Sequence, residues 1–109
     1  MNLTQEETQK LEKLCNFYQQ AKALVIFAEE LDPKSRAVLA TIKELRDAFD
    51  HVMRVLSDIY LYSSAKKKKN PNYYLSSLEK AIGHLCRATF DALDITIIHI
   101  KSKITIHII

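Results

Sequence analysis

Apolar residues return every three or four positions along most of this chain. Leu11, Leu14, Tyr18, Ala21, Val25 and Ala28 form one stripe, Val38, Ile42, Leu45, Phe49, Val52, Leu56 and Ile59 a second, and Tyr74, Leu75, Leu78, Ala81, Ile82, Leu85, Phe90 and Leu93 a third. That period predicts three long amphipathic helices. Thr4 and Glu7 have the spacing of a capping box, which starts helix 1 over about 4–31. Asp32-Pro33 stops it and opens helix 2, about 33–65, because Pro suits a first helical turn and Asp can cap it. Asn70-Pro71-Asn72 turns the chain into helix 3, about 71–103. Eight of the fifteen residues from Ile95 to Ile109 are Ile, and the alternation of Ile104, Ile106 and Ile108 with Thr105 and His107 also fits a strand. Continuation of helix 3 to about Lys103, followed by an Ile-rich tail to 109, is the expectation.

With 109 residues there is room for one domain, 1–109. A single Gly and two Pro exclude a sheet of many short strands and every Gly-rich phosphate loop. The fold class expected is therefore all-α: an up-down-up bundle of three long helices, completed by self-association because the bare apolar end needs cover. Lys101 and Lys103 break the longest apolar stretch well short of a membrane span. The polar, acidic start Met1 to Glu7 lacks the pattern of a secretion signal, so a cytoplasmic location is expected. Cys15 and Cys86 have no Cys-x-x-Cys spacing and are expected as reduced core thiols. The net charge of +3 falls to −1 once Lys66, Lys67, Lys68 and Lys69 are set aside. That run is read as a solvated turn, with an anionic partner such as RNA or a membrane surface as the second reading.

Helices 2 and 3 share the pattern Leu-x2-Ala-x2-His-x2-Arg-x3-Asp, filled by Leu45, Ala48, His51, Arg54, Asp58 and by Leu78, Ala81, His84, Arg87, Asp91. Residues at one level of an antiparallel pair have position numbers summing to a constant. A turn near Lys67 or Lys68 sets that constant near 135, the sum for His51 and His84. The two histidines are therefore expected to face each other, with Arg87 near Asp47 and Asp50 and Arg46 near Asp91. This cluster reads as a polar layer fixing helix register. The alternative is an acid–base site, since imidazole titrates near neutrality and guanidinium holds a phosphate. No metal or cofactor is expected, because a bundle-type metal centre uses Glu-x-x-His, whereas Asp50 and Gly83 precede these histidines.

Arg46-Asp47-Ala48-Phe49-Asp50-His51 resembles the Arg-x4-6-His motif of HEPN-domain proteins, which are small and helical. The resemblance implies a metal-independent ribonuclease in which two protomers join their motifs at a shared cleft and cut RNA through the ribose 2′-hydroxyl. Arg46 would stabilise the phosphate, His51 would act as acid or base, and Asp47 would be the polar neighbour. From the residues alone the leading function is a self-associating interaction module with a protein partner, and the ribonuclease is the alternative.

Overall fold

The computed structural model describes residues 3–34 and 36–108. These form four helices and no strand: α1 (Gln5–Leu31), α2 (Arg36–Tyr60), α3 (Ala65–Lys69) and α4 (Tyr73–Ile108). The capping box forms as spaced. Glu7 N–H donates to Thr4 Oγ1 at 3.1 Å, and Thr4 N–H donates to the Glu7 carboxylate at 2.8 Å. Asp32 closes α1 through its own N–H to the Ala28 carbonyl. Pro33 and Lys34 then form a turn, and α2 starts at Arg36 rather than at Pro33.

The three long helices run up, down and up. Leu14 of α1 shares one buried cluster with Val55 of α2 and Tyr74 and Leu78 of α4, while Val25 and Ala28 share another with Val38 and with Ala92 and Ile95. Thus α1 and α4 are parallel and α2 opposes both. Helix α4 stands in the middle: α1 and α2 each pack along it and touch each other only sparsely.

Which apolar residues are inside departs from the simple stripes. Among the described residues six of the fourteen buried apolar positions are alanine: Ala21 and Ala28 on α1, Ala48 on α2, and Ala81, Ala88 and Ala92 on α4. Short side chains let helix axes approach closely. The larger members of the stripes stand further out, with Ile42 exposed, Phe49 64% exposed and Phe90 66% exposed. Neither cysteine is a core thiol, since Cys15 is exposed and Cys86 half-buried.

Helix 2 also ends earlier than its periodicity suggests. It stops at Tyr60, and Ser63 and Ser64 take left-handed backbone angles, φ 50° and 61°. Lys66 to Lys69 then belong to the separate short helix α3. At the other end α4 remains helical to Ile108, well past Lys103, so the strand alternative does not apply there; Ile109 lies outside the described residues. The molecule measures 63 × 22 × 17 Å. Its accessible surface, 7550 Å², exceeds the roughly 6,200 Å² expected of a monomer of this mass.

Replacing Ala88 by Leu forces a larger side chain into a fully buried position of α4. We expect a loss of about 1–3 kcal/mol in urea unfolding, seen as a lower midpoint with unchanged slope.

Candidate functional site

Two polar centres lie along the α2–α4 pairing. The first forms because Glu44 and His51 are seven residues apart on α2, about two turns, and so share the face turned to α4. There the His51 and His84 rings stack, with centroids 5.3 Å apart and planes at 16°. The Glu44 carboxylate lies 2.6 Å from His84 Nδ1 and accepts at 3.1 Å from Arg87 Nε. An ionised carboxylate only accepts, so His84 Nδ1 carries the proton and donates to it. The Arg87 Nη2 group lies 2.8 Å from the same Nδ1, and it is Arg87 Nε that donates to Glu44.

Charge follows geometry. The hydrogen bond from His84 holds the Glu44 carboxyl below its ordinary range; burial opposes this and Arg87 reinforces it. Burial pushes His51 down from the usual imidazole value, and the nearby charges of Arg54, His84 and Lys80 add to that against the pull of Asp50. His51 and His84 open onto a surface recess shared with Ser76, Lys80 and Gly83. Among the described residues, no group of three or more His, Cys, Asp or Glu is placed to hold a metal ion.

The remaining expected members part company. Arg46 is exposed and pairs with its neighbour Asp47 at 3.3 Å. Five residues separate Arg46 from His51, which is about 140° around the helix, so within one protomer the two point apart. Arg87 binds Glu44 instead of Asp47 or Asp50. Arg54 pairs with Asp50 at 2.9 Å, the acid-before-base order that favours a helical ion pair. Arg46, expected near Asp91, is thus held by Asp47 instead; burial, with Glu44 and Asp94 nearby, raises the Asp91 carboxyl.

Asp58 belongs to the second centre, where the chain leaves α2. It is buried and accepts from Lys66 N–H at 2.9 Å, Lys67 N–H at 3.2 Å and the Tyr74 hydroxyl at 2.8 Å. Burial pushes its carboxyl up, but the Lys66 N–H, the Tyr74 hydroxyl and the Lys67 N–H outweigh that and hold it below its ordinary range. Tyr74 has one hydroxyl proton, given to Asp58, so Ser64 at 3.1 Å donates to the phenol oxygen. Lys67 reaches the buried Glu7 carboxylate at 2.6 Å and lies over the Tyr74 ring, while Lys66 lies over Tyr73. The lysine run is thus split: two heads are engaged by the fold, and Lys68 and Lys69 lie exposed.

Sequence reasoning missed Glu44 as the hub of the histidine cluster and Glu7 as the partner of Lys67. The first could have been found from its seven-residue step to His51. The second has no local signal, because sixty residues separate the pair.

A third feature is an apolar groove between α1 and α2, lined by Leu11, Cys15, Tyr18, Phe49 and Val52 with Leu85 of α4 among its walls. Its volume of about 210 Å³ falls below the ~300–1,000 Å³ usual for small-molecule sites. Comparison of the chain with protein-family models, with curated proteins and with solved structures returned no match.

The lowered value of His51 fixes the sign of a pH effect. Below about 6.5 the unfolded chain binds a proton that the folded chain resists, so stability falls as pH drops from 7.5 towards 5.5. Glu44 and Asp58 lose their contributions at still lower pH, as the folded carboxylates protonate. Urea unfolding across this range is expected to show the first decline in the wild type and a flatter profile in His51→Gln.

Proposed function

We propose that this chain is a helical interaction module that works in self-associated form. The observation that carries the proposal is the apolar surface that the fold leaves uncovered: Tyr18, Phe49, Phe90 and a series of isoleucines stand exposed. Large apolar side chains exposed in that number mark a protein contact. The groove supports the same reading, since it is too small for a typical ligand yet is bordered by helices on both sides, as a fourth helix would require. On this reading the stacked histidines with Glu44 and Arg87 set the register of α2 against α4. Sedimentation equilibrium at micromolar concentration is expected to give a mass of at least two chains. A single-chain mass up to 100 times that concentration, about two decades, would sink the proposal.

One observation favours a ribonuclease as the second reading: His51 lines an open recess with Lys80 and Arg87, cations suited to a phosphate. In that reading Arg46 is supplied to the recess by a second protomer, because its own His51 lies on another face of α2. Purified protein would then cut RNA in excess chelator, and both His51→Ala and Arg46→Ala would lose cutting with an unchanged helical melt. Uncut RNA with the wild-type protein would remove this reading.

A further inference from the structure

We infer that a second copy of the chain docks along the outer face of α4, with the two α4 helices parallel and in register. This rests on the self-association reading and names its interface.

Helix α4 carries two seams. The inner one, Tyr74, Leu78, Ala81, Leu85, Ala88, Ala92 and Ile95, steps alternately by four and three and is buried. The outer one, Cys86, Phe90, Leu93, Ile97, Ile100 and Ile104, steps the same way. It is displaced by five residues, about 140° around the axis. Alternating steps of four and three give the 3.5-residue repeat by which helices pair as coiled coils. The inner seam is satisfied within the protomer. The outer seam has five of its six residues exposed, Phe90 to Ile104, and Cys86 half-buried.

The end of α4 shows why this face needs cover. In the register that stacks His51 on His84, Arg36 at the start of α2 is level with residue 99. The helix continues to Ile108, and residues 101–105 are all exposed. Two turns rich in Ile and Thr are a poor helix without tertiary support. The same segment of another copy supplies it, because the seam continues unbroken into this overhang through Ile100 and Ile104.

Flanking charges choose the orientation. Parallel and in register, Thr89 flanks Asp94 of the partner subunit, Thr96 is already buried within its own protomer, and no like charges meet. Antiparallel with all six layers matched, Asp94 meets its own copy and Arg87 meets Lys101 twice. An antiparallel slip that pairs Arg87 with Asp94 puts Ile100 against Gly83 and Ile104 against Glu79, leaving the overhang uncovered. The surface in excess of a compact monomer, roughly 1,300 Å², is more than the ~800 Å² per partner of a standard interface.

Cys86 opens the seam, so orientation can be read directly. In a Cys15→Ser variant only Cys86 retains a thiol, and oxidation by copper–phenanthroline and oxygen is expected to give a disulfide-linked dimer. Parallel pairing brings the two Cys86 residues together, whereas the fully matched antiparallel pair sets them about 27 Å apart along the axis. Alongside, Ile97→Glu is expected to weaken dimerisation at least about tenfold in sedimentation with its helical signal retained, and Ile97→Leu to leave it unchanged. An oligomer that persists in Ile97→Glu and does not cross-link overturns this interface while leaving self-association through the α1–α2 groove. A wild type of single-chain mass overturns both.

Discussion

The arrangement depends on how closely α4 admits its neighbours. Its inner face presents Ala81, Ala88 and Ala92 between the larger Leu78, Leu85 and Ile95. Alanine contributes little transfer free energy of its own, but it brings helix axes close enough for long runs of backbone and Cβ contact. One helix can serve two others in this way only if their lines of approach remain separate, and α1 and α2 accordingly lie on different flanks of α4. The open groove between them and the uncovered outer face of α4 are both consequences. Tyr74, Leu78 and Leu85 fill the contacts between the alanines, and the remaining large side chains collect at the rims.

The polar groups follow the same division of labour. Among the described residues every buried side-chain nitrogen or oxygen has a partner. The stacked histidines, with Glu44 and Arg87, hold α2 against α4 midway along their pairing. Asp58 holds the far end, where Ser63 and Ser64 adopt backbone angles that a side chain makes costly by roughly 1–2 kcal/mol per residue. The carboxylate offsets this by binding the N–H groups at the start of α3 and the hydroxyl of Tyr74. Glu7 and Lys67 then pin that corner to the first turn of α1.

Much of this was legible in the residues. The all-helical class, the capped start of α1 and the facing of His51 and His84 follow from period, spacing and the numbering of an antiparallel pair. The break after Tyr60 was not legible, because the chain there has Ser63-Ser64 where a left-handed turn would ordinarily have glycine. Nor was the choice of inner face. Phe90 and Leu93 fit a helical stripe as well as Ala88 and Ala92 do, and hydropathy favours the larger pair, whereas close packing favours the smaller. Of the candidate site, Arg87 and His84 meet as the spacing allows, but Arg46 is claimed by its immediate neighbour Asp47, and Asp58 by Lys66, Lys67 and Tyr74 across the turn, which helical spacing does not reveal.

The middle place of α4 has a consequence for biosynthesis. Chains emerge from the ribosome N-terminus first, and domains usually consolidate in that order. Here α1 and α2 emerge early with almost nothing to offer each other, since both of their buried faces are shaped for a helix not yet translated. The order of folding therefore runs against the order of synthesis, and for that interval two amphipathic helices stand open to chaperones or to neighbouring chains on the same polysome.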